Sequence, residues 1–439
     1  MKKIYLLCKT ITPLFMGGAT INKPELRPSG FKGTMRFWWR ALKCEDNISK
    51  LREEESNIFG GTQEKEGKSK VMLRIRPQSV LQGENIKKDY GLRWDFNKTE
   101  HRLTGKDMGI GYLLYSTVLP NRERKYFKTD STFKIELLSR DDITFKNALA
   151  ALWTSIYLGG FGTRSRRGGG NIVVEKIEGD ALGLEFIPLV KDAKNISHWL
   201  KKNLEVCFEF ITGEKKPKNF TSSYSNLSFA RIIISSKSKT TWKDALNEIG
   251  VKFADFRYRT KKDVFDSAIF GLPVQHKNSI KVEGKIHNRR SSPLIIKILK
   301  TQNSYYWITI RLTGEFLPQG DVLALKEKFN ITKTQKPNFK LIDEFWNNIQ
   351  KDNREQILSF PKILDNIKKN IIKHNPSAKI ILFGSRARGD AYKTSDIDIA
   401  IDTDKAIGEL DLIGPIDIVN LKKAPDDLKN IVKTEGVIL

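Results

Sequence analysis

Residues 70–76 (KVMLRIR) and 131–138 (STFKIELL) alternate apolar and polar side chains, the period of a half-buried strand. Residues 2–12 (KKIYLLCKTIT) and 171–179 (NIVVEKIEG) predict a first and a returning strand around them. The period then changes. In 29-SGFKGTMRFWWRALKC-44 the spacing predicts a helix starting near Lys32 or Gly33, with Arg36, Trp39, Arg40 and Lys43 on one face and Phe37, Trp38, Ala41 and Leu42 toward a core. Residues 144–158 predict a mostly apolar helix that runs into 159-GGFGTRSRRGGGN-171.

The second third repeats this grammar. Strands are expected at 205–211 and 230–236, helices at 241–250 and 262–270, and a closing hairpin from 293–299 and 305–314. The segments 57-NIFGGT-62 and 268-AIFGLP-273 both set Ile-Phe-Gly at a helix end, where glycine accepts positive φ. This echo suggests two related α+β units. Residues 321–358 are rich in lysine and asparagine, with a short helix near 341–350. From about 359 a compact βα pattern begins: helix 363–373, strand 379–383, the GSRARG turn, strands 396–402 and 415–421, and a final helix. The expected divisions are 1–195, 196–340, a linker at 341–358, and 359–439.

Charge sharpens this division. The chain carries +26 overall, yet residues 359–439 hold 13 basic and 12 acidic side chains, so +25 lies on the first 358 residues. A basic surplus confined to one part points to a polyanion partner such as nucleic acid. No apolar run is long enough for a membrane span, and the first fifteen residues are too polar for a signal peptide, so no membrane partner is expected. Cys8, Cys44 and Cys207 form no CxxC, which suits reduced thiols in a cytoplasmic protein, and the five histidines do not cluster with them as a zinc site would require.

Binding single-stranded RNA takes cations for phosphates, flat side chains for bases and backbone N–H groups near the polymer. Glycines in 159–170 let the main chain approach phosphate, and Arg164, Arg166 and Arg167 can fork onto it. The loop lacks GxGxxG and GxxxxGK[ST], so it is neither a dinucleotide fingerprint nor a P-loop. Lys32 and the N–H groups near Gly33 form an anion-attracting helix start, with Arg36, Trp39 and Arg40 one turn further on. The bland alternatives are a solvated loop and a tryptophan pair in the core.

TPLFMGGA (12–19), LRPSGFKGTMRFWWRAL (26–42), IFGG (58–61), GGFGTRSRRGGGN (159–171), IFGLP (269–273) and RRSSPLIIKI (289–298) together resemble the first subunit of the Cmr effector complex of CRISPR type III-B, in the RAMP superfamily. The resemblance covers roughly residues 1–340. It implies two ferredoxin-like (RRM-like) domains, guide RNA and target RNA as partners beside other Cmr subunits, and a non-catalytic binding role. By it, Lys32, Arg36, Arg40, Arg164, Arg166 and Arg167 are RNA-contact candidates.

The tail carries different chemistry. In 384-GSRARG-389, Gly384 and Ser385 form a turn whose N–H groups and hydroxyl can hold phosphates, with Arg386 or Arg388 near. Asp396 and Asp398 are two apart on a strand and point the same way, and Asp417 can reach them from the neighbouring strand. Such carboxylates hold divalent metal for in-line displacement. This spacing resembles polymerase-β-type nucleotidyltransferases, above all the minimal ones of toxin–antitoxin pairs, which implies Mg2+, ATP and adenylyl transfer to a protein or RNA hydroxyl. The expectation is an α+β fusion protein: two RNA-binding RAMP domains for antiviral defence and a tethered, active nucleotidyltransferase. Two rivals stay open, a stand-alone RNA-modifying transferase and a structural subunit with a silent tail.

Overall fold

The computed structural model describes all residues except 19, 21–22, 64–65, 119–123, 222, 261–262, 277–279, 328–329, 354–355, 390, 393 and 405–413. Strands β1 (Lys2–Thr10), β2 (Val71–Ser79), β3 (Thr132–Ser139) and β4 (Ile172–Gly179) form an antiparallel sheet in the order β2-β3-β1-β4. Alternation decides its faces: Ile4, Leu6 and Cys8 of β1 and Phe133, Ile135 and Leu137 of β3 are buried together. Helices α1 (Pro28–Lys43), α2 (Ile48–Phe59) and α3 (Asp142–Tyr157) share that core. The succession β1-α1-β2-β3-α3-β4 in this order is ferredoxin-like.

Helix α1 begins four residues before the expected Lys32. Pro28 occupies its first position, where its fixed φ suits a helix and the missing N–H breaks no bond. Lys32 and Gly33 are therefore interior to the helix and form no anion-attracting start. Trp39 is 1% exposed, its Nε1 donating to Asn147 Oδ1 at 2.7 Å, so it belongs to the core and to no RNA-facing stripe.

Residues 205–211 are not a strand. They end helix α4 (Ala193–Thr212), which Asp192 caps by accepting the Asn195 N–H. Over this longer window Ile196, Trp199, Leu200, Leu204, Cys207, Phe208 and Ile211 follow the helical period, which seven residues could not reveal.

Strands β5 (Asn226–Ile234), β6 (Leu294–Lys300), β7 (Tyr305–Thr313) and β8 (Gln356–Leu358) form a second antiparallel sheet, ordered β6-β7-β5-β8. This repeats the first arrangement, with α5 (Trp242–Thr260) after β5 and α6 (Lys340–Gln350) before β8. The expected linker at 341–358 thus holds a helix and the fourth strand of this sheet, because Leu341, Ile342, Phe345, Trp346 and Ile349 bury one face of α6. Another antiparallel sheet, from 274–276, 280–284, 323–327 and 330–335, is attached to the second unit. The two units share cores: Ile232, Ile234, Ile308 and Ile310 pack with the α1–α3 core, while Ile233, Ile296 and Trp307 pack with α5 and α6.

Lys297 of β6 lies on the face toward the first unit and is 1% exposed. Its Nζ donates to Ile156 O at 2.6 Å and Gly159 O at 3.2 Å, capping the carboxyl end of α3. Burial pulls its pKa down to about 7.

The tail unit comprises α7 (Lys362–His374), β9 (Lys379–Phe383), α8 (Gly384–Arg388), β10 (Ile397–Asp402), β11 (Ile416–Asn420), α9 (Asp426–Glu435) and β12 (Val437–Ile438). Its sheet runs β11-β10-β9-β12, with β10 parallel to β11 and antiparallel to β9. It is docked rather than tethered. Phe229 of β5, 1% exposed, packs in the same cluster as Leu364, Ile367, Leu382 and Ile399, with Phe220 and Phe360 against it at ring separations of 5.7 and 5.6 Å.

Two outcomes follow for stability. Phe229→Ala should cost about 3–5 kcal/mol in a core shared across the seam, and limited proteolysis should then release the tail beyond 358. Between pH 7 and the ordinary lysine range, the unfolded chain holds a proton at residue 297 that the native chain lacks, so this group makes native stability rise with pH. Against wild type, Lys297→Met should compare best below pH 7 and lose ground by roughly 1 kcal/mol per pH unit up to about pH 10, measured by denaturant unfolding.

Candidate functional site

The tail site grows out of one turn. Strand β9 ends at Phe383, and Gly384 takes φ +69 to open α8, which Gly389 closes at φ +79. A side chain at 384 is disfavoured twice: φ +69 strains any residue with a Cβ, and that Cβ would lie 2.1 Å from Asp398 Oδ2, so the carboxylate would have to shift. Glycine therefore lets the turn sit directly on the carboxylate. Asp398 and Asp417 are register partners on parallel β10 and β11, so both point to one face. Asp396 is exposed one residue before β10. Burial, then the charges of Asp417 and Asp396, raise the Asp398 pKa above the usual carboxylate range.

Ser385 is half-buried, and its carbonyl accepts the Gly389 N–H at 2.9 Å. Arg386 is buried, donating from Nη2 to Ser395 O at 2.7 Å and lying 5.0 Å from the Phe220 ring centre. Burial lowers its pKa, while Asp46, Asp396 and Asp398 act to raise it. Arg388 forks onto Glu435, with both oxygens at 2.9 Å from Nη1. Glu435 also accepts the Gly384 N–H at 3.2 Å, placing a fourth carboxylate in the site. It lies 51 residues from Gly384, beyond the reach of any local spacing argument.

The residues suit a divalent cation in donor type and charge, since Asp398 is held beside like charges and against a glycine that leaves it room. Among the described residues, however, no group of three His, Cys, Asp or Glu side chains closes into a ready metal cage.

The second unit holds this turn from outside. Arg231 and Arg311 are register partners on β5 and β7, and their Nη2 groups donate to the carbonyls of Ala387 and Arg388. Arg311 also pairs with Asp343 of α6 at 2.9 Å.

The glycine–arginine loop is not the open strap expected from the sequence. Phe161 N–H donates to Gly170 O, Thr163 N–H to Phe15 O and Gly170 N–H to Pro13 O, at 2.8–2.9 Å. Gly170 is needed because a Cβ there would meet Phe161 O at 1.8 Å, so glycine serves chain-to-chain approach. The loop then docks on β6: Ile296 N–H donates to Arg166 O, and Asn171 Oδ1 accepts the Ile298 N–H. Arg167 donates to Leu294 O at 2.8 Å and Phe270 O at 2.9 Å, and Arg166 to Ser292 O at 2.5 Å. Burial lowers their pKa values to about 9 and about 10. Arg164, at φ +63, donates to Ser116 Oγ at 2.8 Å.

The other RNA candidates also have protein partners. Arg36 and Arg40 pair with the two oxygens of buried Glu55, and Lys32 donates to Ser69 Oγ at 3.0 Å and Val71 O at 3.2 Å. What the loop does border is a cleft of about 690 Å3 floored by glycines 17, 18, 30, 33, 159, 160 and 162. Arg27, Arg124, Lys125 and Arg166 line it, with Phe15 and Phe37. Arg27 and Arg124 are exposed cations overlooked in the sequence, although Arg27 stands in the LRPSGFKG segment itself. Arg164 and Arg167 line a second cavity of about 750 Å3 with Tyr112, Tyr258 and Phe253.

Comparison with known proteins matches this geometry. Residues 7–173 match the RAMP superfamily and residues 364–436 the nucleotidyltransferase domain. The chain is 30% identical over 300 residues to the CRISPR system Cmr subunit Cmr1-1 of Pyrococcus furiosus, covering 65% of this chain and 80% of that protein. It is 36% identical over 183 residues to Cmr1-2 of the same organism, covering 38% and 93%. The crystal structure of apo Cmr1 from Pyrococcus furiosus superposes with a TM-score of 0.55 at 23% identity, over 82% of this chain and 99% of that one, a likeness of fold. With two ferredoxin-like units in tandem and the tail match beside them, the chain belongs to the Cmr1 family of the RAMP superfamily, the type III-B Cmr subunit, and carries a C-terminal nucleotidyltransferase domain.

Proposed function

We propose that residues 1–358 bind guide RNA toward its 3′ region, together with target RNA, in a cytoplasmic Cmr complex with other Cmr subunits, and that the tail transfers an adenylyl group from ATP to a protein or RNA hydroxyl. The Cmr subunit names of the curated relatives support the first half. The glycine-floored cleft supports the phosphate path: Arg27, Arg124 and Lys125 border it, and at Gly33 the missing Cβ leaves open space. Arg36, Arg40 and Arg167 are assigned to holding the protein together.

The observation that carries the second half is the contact between Gly384 and the Asp398 carboxyl, with Asp417 in register beside it. Asp396, Asp398 and Asp417 would hold Mg2+, which when bound neutralises the triphosphate and its leaving pyrophosphate. Ser385 and the Gly384 N–H would receive phosphate oxygens, and Arg388 would orient them. The acceptor oxygen bonds to the α-phosphorus as the bond to pyrophosphate breaks. Asp417, exposed at the sheet edge, would take the acceptor's proton.

The test is label transfer from α-labelled ATP in the purified complex, with and without target RNA. Label should appear on one component and vanish in Asp396→Ala plus Asp398→Ala; no label under either condition overturns the reading and favours a silent domain. For RNA, replacing Arg27, Arg124 and Lys125 with alanine should flatten the salt dependence of affinity by about 0.7 for each phosphate no longer neutralised. Arg36→Ala plus Arg40→Ala should leave that slope unchanged and lower the melting temperature, because buried Glu55 is deprived of its partners. The opposite pattern would return the RNA path to helix α1.

A further inference from the structure

A cavity of about 600 Å3 lies at the seam between the second unit and the nucleotidyltransferase domain, and both build it. From the second unit come Asn338, Asn347, Gln350 and Gln356; from the tail come Arg388 and Glu435. Arg231 also lines it, and although that side chain is buried, its Nε has no acceptor among the described residues.

The cavity adjoins the reaction site through Glu435. This carboxylate lines the cavity, accepts the Gly384 N–H and takes the Arg388 fork, and Gly384 abuts Asp398. An anion already occupies the donors to which a phosphate would bind. Beyond it the walls mix charge with amide: Lys340, Asp343 and Glu344 also line the cavity, and Asp343 is paired with Arg311. Four primary amides line these walls; Asn338 is engaged with Asp266 and the Lys340 N–H, while Asn347, Gln350 and Gln356 each offer donors and an acceptor, the pairing pattern with which Asn and Gln read base edges. The volume suits a nucleoside and falls in the usual range of small-ligand pockets.

We propose that this seam cavity takes the nucleoside of the incoming triphosphate, so that base selectivity resides in α6 and β8 of the second unit and Glu435 yields its place to phosphate on binding. The inference rests on the nucleotidyl-transfer reading above. In place of a self-contained transferase on a tether, the active nucleotide site is composite, and the RAMP part supplies its recognising half.

The test separates the two readings by ligand. Calorimetry on the full chain with Mg2+ measures ATP and inorganic triphosphate in wild type, in Asn347→Trp, and in Asn347→Leu plus Gln350→Leu. Both positions are exposed on α6, and melts matching wild type establish that the variants are folded. ATP affinity should fall on the order of tenfold while triphosphate affinity stays as in wild type. Unchanged ATP affinity in both variants, or equal loss for both ligands, overturns the cavity assignment. A wild-type chain that binds neither ligand refutes the transfer reading itself.

Discussion

A buried lysine amine fixes this molecule. Lys297 enters the first unit from the second and satisfies the Ile156 and Gly159 carbonyls where α3 ends. The glycine loop starts at that point, so its path is set by a side chain from another sheet. Asn171 and the Arg166 carbonyl then complete the edge of β6, and Arg167 closes the junction onto Leu294 and Phe270. Such a polar group in a dry interior is stable only when its donors are met, and an unmatched acceptor costs more than a bond contributes. The two ferredoxin-like units are thereby locked in one register and share their cores.

This lock divides the basic residues into two kinds. Cations that the sequence groups by spacing, Arg36 with Arg40 and Arg166 with Arg167, face carbonyls and Glu55 inside the protein. Exposed cations such as Arg27 and Arg124 stand around the glycine-floored cleft. A net charge of +26 therefore overstates the field available to a polymer, and position on the surface selects the useful part.

Periodicity made most of the architecture legible. Strands β1 to β4, the hairpin β6–β7 and the tail's β-α order all follow from alternation and turn residues, and the tail motif is readable because Gly384, Asp396 and Asp398 lie within one short stretch. What escaped depends on distant partners. Seven residues of α4 look like a strand until Asp192 marks the cap; β8 has only three residues and exists because β5 offers an edge. Trp39 and its neighbours Arg36 and Arg40 share a face by spacing, but Asn147 and Glu55, which claim them, lie 108 and 15–19 residues away. Glu435 is hidden for the same reason.

The fusion takes on a physical meaning from where the tail is held. Phe229 joins its core, and Arg231 and Arg311, partners on adjacent strands, grip the last two carbonyls of α8. Arg311 is anchored in turn to Asp343 on α6. Sheet and turn are thus packed and hydrogen-bonded together, and β8 runs into the tail with Ser359 N–H still bonded to Ala230 O. A flexible linker would let each part ignore the other. Here the turn that abuts Asp398 takes its position from the same strands, β5 and β7, whose opposite face packs on the first unit. Geometry at the seam with the first unit and at the Gly384–Asp398 turn is consequently set by one sheet.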